Sequence, residues 1–443
     1  MAHEPSITFL GATRNVTGSR FLVHADTAKV LVDCGLYQER DFAARNWEPF
    51  PVEPASIDAV LLTHAHLDHC GYLPRLVRDG FQGPIYCTPP TAEIAQIVLE
   101  DSARIQMEDA RAAVDLFEPV PYGEMIKLGR QVSASFHDAG HILGSALIRL
   151  VIGRGSEART VLFSGDLGRE ATPLLRNPHL HDAADYVVIE STYGDRTHPP
   201  RPEVAGEMAR VINQTAERGG SVLIPSFAIE RAQDLLFELK NLVEQRLIPP
   251  LKFFVDSPMA TDVTRVFEGH AELLDPALSQ MLAEGDSPFR FPGLTFVRTS
   301  DDSKAINHMP GTVVVIAGAG MCNGGRIKHH LANRISDPRS TVLFVGYQAK
   351  GTLGRTIVDG ATNVRILGQD HEIHARVEII QSLSAHADRV GLAGWLDALK
   401  HPPRKVFVVH GDESIVLDFA EHFRTDRELD AEAPQYGQQV TLT

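Results

Sequence analysis

Five times in this chain an apolar run ends in a side chain that can hold a metal or move a proton, with glycine close by. Val30-Leu31-Val32 leads into Asp33, Val60-Leu61-Leu62 into Thr63-His64, and Val161-Leu162-Phe163 into Gly165-Asp166. Val187-Val188-Ile189 leads into Glu190, and Phe407-Val408-Val409 into His410-Gly411. Short aliphatic runs bounded by turn residues read as buried strands. The loop at the C-terminal end of a buried strand is where α/β proteins place their chemistry. A shared rim accounts for five such strand ends better than five unrelated loops do.

The densest rim segment is Thr63-His64-Ala65-His66-Leu67-Asp68-His69. A lone histidine is usually structural, but three imidazoles and a carboxylate in six positions are the donors zinc prefers. On a turning backbone His64 and His66 can face one ion while Asp68 and His69 face another. A dinuclear site needs more ligands than this loop holds, and a carboxylate commonly bridges the ions. The hypothesis is two Zn2+ ions per chain: His64, His66 and His141 on the first, Asp68, His69 and His410 on the second, and Asp166 between them. Water held by such ions ionises near neutral pH, which supplies a hydroxide nucleophile. Asp33 could hold a ligand imidazole or its loop, or be an ordinary strand-end carboxylate. His386, in Ser384-Ala385-His386-Ala387-Asp388, has no place in that ligand set. It could protonate a leaving group while Glu190 holds its second nitrogen; the plain alternative for Glu190 is a turn cap.

Organisation follows from the order of elements. Strands at Ile7–Leu10, Arg20–Val23 and Lys29–Asp33 are closely spaced, which suggests an antiparallel or mixed sheet. Thr91–Phe117 reads as long helix, its spacing irregular enough for a bend or break partway along, and Ile85–Cys87 and Ala146–Ile152 read as strands. Composition shifts at His198-Pro199-Pro200-Arg201-Pro202. Beyond it, helix and strand alternate as in a doubly wound parallel sheet. From about Val358 the chain is strand-rich again, and its tail reads as peripheral. The expected domains are 1–197, an insert at 198–357, and a return at 358–443.

At 443 residues, 43% hydrophobic and 22% charged, the composition is that of a soluble globular protein. No long apolar stretch supports a membrane span, and the N-terminus lacks a secretory pattern. Cys34, Cys70, Cys87 and Cys322 form no C-x-x-C pair and read as buried free thiols in a reducing cytoplasm. A net charge of −15 argues against loose adhesion to nucleic acid. It does not exclude a polyanion at a site whose bound cations reverse the local field. The glycine-dense Gly318–Arg326 and Gln348–Arg355 could grip phosphates, with Lys350, Thr352 and Arg355 as substrate-binding candidates, or be purely structural. No Walker loop is present.

Taken together, Asp33, the His64–His69 loop, His141, Asp166, Glu190, His386 and His410 resemble the motifs of the β-CASP branch of the metallo-β-lactamase superfamily. The resemblance implies an αββα four-layer sandwich interrupted by a doubly wound α/β β-CASP domain, with the substrate between them. Within the branch, histidine at the last motif goes with RNA-acting members, so His410 favours RNA. The implied activity is zinc-dependent hydrolysis of single-stranded RNA, as an endonuclease and in some members a 5′-to-3′ exonuclease, leaving 5′-phosphate and 3′-hydroxyl ends. The implied roles are His386 and Glu190 in proton transfer, Asp33 and Asp68 in support of the reacting centre. The nearest likeness is to compact bacterial and archaeal relatives of the pre-mRNA cleavage and polyadenylation endonuclease subunit. No membrane partner is expected, and a homodimer is left open. Rival readings are an ester or thioester hydrolase on the same catalytic fold and a non-catalytic RNA-binding subunit. A diiron oxidoreductase of the superfamily would carry Glu where His66 stands.

Overall fold

The computed structural model describes residues 3–102, 107–198, 203–380 and 383–443. Two compact units result: Met1–Thr197 with His386–Thr443, and His198–Ala385.

The first unit is built on two seven-stranded sheets. One runs, from edge to edge, Gln439–Thr441, His3–Phe9, Phe21–Asp26, Ala28–Val32, Ala59–Leu61, Ile85–Cys87 and Phe117–Pro119. Its first four strands are antiparallel and the rest are added in parallel, so the sheet is mixed as the closely spaced opening strands suggest. The other runs Ala431–Glu432, Lys405–Val408, Tyr186–Ile189, Arg159–Phe163, Ala146–Ile152, Val132–Asp138 and Met125–Lys127.

Side chains of period two divide each strand between two faces. Phe21, Val23, Val30 and Val32 of the first sheet meet Phe136, Ile148, Leu150, Val161, Phe163 and Phe407 of the second in one core. The alternate residues of the second sheet, among them Leu147, Leu162, Val187, Ile189 and Val408, pack under the helices Arg389–Asp397 and Glu413–Asp426 through Leu392, Trp395, Phe419 and Phe423. The helix Pro89–Ser102 buries Ile94, Ala95, Val98 and Leu99 beside the first sheet. Helix, sheet, sheet, helix is the resulting layering.

Along the stretch Thr91–Phe117 helix runs at Pro89–Ser102 and Met107–Val114, and Phe117 pairs with Ile85 as the edge of the sheet; Arg104 and Ile105 lie outside the described residues. Two sequence expectations change. The tail is not peripheral: Val440 pairs with Ile7, Leu442 is buried, and the Tyr186 hydroxyl donates to the Thr443 carbonyl. The return to the first unit falls at His386 rather than Val358. The reason is that Arg376–Ile379 hydrogen-bonds in parallel to Thr341–Phe344 as the last strand of the inserted sheet. The Pro199–Pro202 part of the expected boundary lies outside the described residues.

The second unit holds a six-stranded sheet ordered Leu294–Phe296, Lys252–Asp256, Val313–Ala317, Val222–Pro225, Thr341–Phe344 and Arg376–Ile379. Every pairing in it is parallel. Its central strands are buried on both faces, as parallel strands between helices must be. Among the described residues no helix is long and apolar enough to cross a membrane.

Candidate metal centre

All the strand-end donors singled out above fall in the first unit. Asp33, His64, Asp166, Glu190 and His410 each follow a strand, from Ala28–Val32, Ala59–Leu61, Arg159–Phe163, Tyr186–Ile189 and Lys405–Val408 respectively. Parallel pairing of Ala28–Val32 with Ala59–Leu61, and of Tyr186–Ile189 with its neighbours on both sides, brings these ends to one rim. The His64 loop turns into the short helix Leu67–Cys70, which presents Asp68 and His69. Close backbone approach holds that helix in place: a Cβ on Gly35 would lie 1.5 Å from the Asp68 carbonyl oxygen.

Asp166 sits between two groups of donors. Its Oδ2 lies 3.4 Å from His64 Nε2 and 3.6 Å from His141 Nε2. Its Oδ1 lies 3.3 Å from His69 Nε2 and 3.6 Å from His410 Nε2. His66 Nδ1 approaches His64 Nε2 at 3.0 Å and His141 Nε2 at 3.3 Å. Asp68 Oδ2 is 3.6 Å from His410 Nε2. Ligand atoms of His64, His66, His141 and Asp166 fall within 4.8 Å of one another, and so do those of Asp68, His69 and His410. One carboxylate oxygen therefore faces each group.

The donor chemistry fits divalent metal. Burial, with neighbouring histidines, pushes His64 down to about 4 and His66 to about 3, and it holds His141 well below the usual range. These imidazoles are neutral at pH 7, so each offers one ring-nitrogen lone pair, and His66 Nδ1 lies 3.0 and 3.3 Å from the Nε2 atoms of His64 and His141. Asp166 Oδ1 is buried, with His69 Nε2 at 3.3 Å and His410 Nε2 at 3.6 Å as its polar neighbours. In the other group burial opposes protonation, but the Asp166 charge, joined by Asp33 at His69 and Asp68 at His410, outweighs it. His69 is held well above the ordinary value and His410 at about 9. A cation between these rings would take the place of those protons.

Supporting contacts fix the rings. Asp33, at a left-handed φ of 59°, accepts from the Thr63 backbone N–H and hydroxyl, both at 2.8 Å, and its Oδ2 lies 2.7 Å from His69 Nδ1. Thus Asp33 holds both the His69 imidazole and the loop that carries it. Carboxylates placed this way tune metal affinity by about 10- to 100-fold. Asp33→Asn is expected to weaken metal binding by about that factor, read as the chelator concentration that strips the protein.

His386 stands beside both groups. Its Nδ1 lies 3.1 Å from Glu190 Oε1 and 4.0 Å from Asp166 Oδ2, and its ring centroid is 4.4 Å from that of His141. The His386 side chain is 21% exposed, against 2% or less for Asp166 and Glu190, so it reaches toward solvent. Burial disfavours its protonation, yet the Glu190 charge and hydrogen bond, with Asp166 behind, raise its pKa. Glu190 also accepts the Leu167 and Thr192 backbone N–H groups at 2.7 and 3.2 Å, so it acts as a turn cap as well.

Four residues that sequence reasoning missed take part. Thr63 Oγ1 lies 3.0 Å from His64 Nδ1, and Thr192 Oγ1 lies 3.1 Å from His410 Nδ1. Ser19 Oγ is 3.5 Å from His69 Nε2. Buried Arg20 donates to the Gly35 carbonyl from Nε and Nη2 and lies 4.1 Å over the Tyr72 ring, bracing the turn after Asp33. Adjacency to His64 and Glu190 was a usable signal for the two threonines. Nothing local marks Ser19 or Arg20.

The glycine-dense segments belong to the second unit. Arg326 is committed to Asp256 at 2.6 Å, and a Cβ on Gly325 would lie 2.2 Å from the Gly318 carbonyl oxygen, so this loop is shaped by packing. Thr352 caps the helix Leu353–Val358 by accepting the Arg355 N–H, Arg355 pairs with Asp359 at 2.8 Å, and Lys350 is exposed. The four cysteines are free and buried, and burial pushes the Cys34 thiol up to about 12.

Comparison with known proteins agrees with this architecture. Residues 15–193 match the metallo-beta-lactamase superfamily, 232–357 the Beta-Casp domain, and 370–434 the Zn-dependent metallo-hydrolase RNA specificity domain. Over 413 residues the chain is 42% identical to Ribonuclease TTHA0252 of Thermus thermophilus, covering 92% of this chain and 93% of that protein. The chain belongs to the β-CASP branch of the metallo-β-lactamase superfamily. It is also 33% identical to the transcription termination factor FttA of Methanocaldococcus jannaschii, covering 94% of this chain and 68% of that protein. A protein of unknown function from Enterococcus faecalis V583 has the same fold, with a TM-score of 0.59 at 13% identity over 99% of this chain and all of that one.

Proposed function

We propose that this chain is a zinc-dependent ribonuclease that hydrolyses phosphodiester bonds of single-stranded RNA. The observation that carries the reading is the two-sided Asp166, with one oxygen toward His64, His66 and His141 and the other toward His69, Asp68 and His410. Those seven residues would hold two ions. When bound, such ions supply Lewis-acid stabilisation of phosphoryl charge and lower the pKa of the water they hold.

The chain's own groups supply orientation and a proton. Asp33 keeps the His69 Nδ1 proton toward itself, which leaves Nε2 toward Asp166 and His410. Thr192 does the same for His410 at Nδ1. His386, protonated with Nδ1 held by Glu190, offers the proton on Nε2 to the departing ribose oxygen. Relatives named as a ribonuclease and as a transcription termination factor support RNA as the substrate, as does the match to an RNA specificity domain.

The pH dependence follows from His386. Its raised pKa keeps the acid form present below that value, and the form is lost as pH rises through it. Removing the Glu190 charge lowers the pKa, so in Glu190→Gln the alkaline fall of kcat moves to lower pH. A limb that stays in place would remove Glu190 from this role.

The function is tested by incubating end-labelled and internally labelled single-stranded RNA with the purified protein, with and without chelator. Internal cuts that vanish with chelator and return with zinc are expected, and the two labels separate internal cutting from 5′-to-3′ trimming. RNA left intact by a protein that cleaves a thioester would overturn the reading.

A further inference from the structure

Outside the Asp166 centre three more histidines converge. His137 lies in the strand Val132–Asp138, while His179 and His181 lie between the strands Arg159–Phe163 and Tyr186–Ile189. Ring centroids are 4.9 Å apart for His137 and His179, 4.5 Å for His137 and His181, and 4.8 Å for His179 and His181. One ligand nitrogen from each ring falls within 4.8 Å of the other two.

The surroundings favour a ligand. His181 Nε2 is buried and has no hydrogen-bond partner, a desolvation cost that coordination would remove. Ser135 Oγ lies 2.9 Å from His137 Nε2, so the hydroxyl can hold one ring nitrogen while the other binds an ion. The backbone is fixed as well: the His179 N–H donates to the Asp138 carbonyl at 2.8 Å, and Trp395 Nε1 donates to the His179 carbonyl at 3.0 Å.

Charge narrows the choice of ion. Burial first, then the neighbouring histidines and Arg149, push His137 down to about 4 and His181 to about 3, while Asp182 opposes this at His181. Both rings are therefore neutral donors at pH 7. Arg149 also repels a cation held by charge alone, which disfavours Mg2+ or Ca2+. Three imidazoles with no carboxylate in the set suit zinc, nickel or copper.

We propose that His137, His179 and His181 form a further metal site for one zinc-class divalent ion, sharing no residue with the Asp166 centre. Its ion would tie the 176–181 segment to the loop that carries His141. That segment already packs there: a Cβ on Gly140 would lie 2.8 Å from the Arg176 carbonyl oxygen and 3.0 Å from Pro178. The ion would brace the His141 loop from outside the centre.

The test uses the full chain, stripped of metal and titrated with zinc alone, with bound equivalents counted by elemental analysis. Wild type is expected to hold one equivalent more than either His179→Ala or His181→Ala. His179 is exposed, so its substitution leaves the core intact, and thermal melts of the metal-free proteins check this. One equivalent of copper, added to protein given only the zinc that fills the Asp166 centre, is expected to show imidazole-nitrogen couplings in its paramagnetic resonance that His179→Ala lacks. Equal equivalents in wild type and both variants would overturn the site. RNA cleavage is read separately, on zinc-loaded wild type, so loss of this site and loss of the ribonuclease reading are separate results.

Discussion

Asp166→Ala is expected to lower RNA cleavage by at least about a thousandfold and to leave the protein unable to retain two ions at once. The size follows from what the carboxylate separates. Two bound ions contribute several kcal/mol of transition-state charge stabilisation, and about 4 kcal/mol corresponds to roughly a thousandfold in rate. Removing Asp166 takes away a group whose oxygens reach both sets, at 3.4 and 3.6 Å on one side and 3.3 and 3.6 Å on the other. It also leaves His69 and His410 without the charge that contributes most to raising their pKa values. Both effects point the same way. Metal content and initial rates on one preparation would check the prediction, and a variant that keeps two ions and full activity would refute it.

His386→Ala is expected to cost about 10²- to 10⁴-fold in kcat, the range of a positioned general acid, while leaving metal content unchanged. The separation of the two readouts is informative. His386 lies 4.0 Å from Asp166 but belongs to none of the candidate donor groups around it. A phosphodiester with a p-nitrophenolate leaving group needs no proton from the enzyme. On that substrate the variant should approach wild type, and an equal loss on both substrates would mean that His386 acts structurally.

The polar strand ends were legible because each chemical residue follows a short apolar run in the sequence itself. Parallel pairing then turns sequence-distant ends into neighbours, as with Tyr186–Ile189 against Lys405–Val408. What stayed hidden depends on tertiary contact alone. Arg20 is buried because three aromatic rings and the Gly35 carbonyl surround it, and no local pattern announces such a cage. The tail pairs with the first strand across nearly the whole chain length, and its polar composition conceals an alternation of Val440 and Leu442. The strand Arg376–Ile379 falls in the strand-rich stretch after Val358, yet hydrogen bonding commits it to the inserted sheet. His179 and His181 follow no apolar run, so nothing local marks them.

The most direct test of the two-sided Asp166 is the position of metal in the zinc-loaded protein, located by anomalous diffraction at the zinc edge. The account predicts two peaks about 3.5–4 Å apart, as in other two-metal sites, one beside His64, His66 and His141 and the other beside Asp68, His69 and His410, with Asp166 reaching both. A single peak within this cluster, or two peaks on the same side of Asp166, would contradict it.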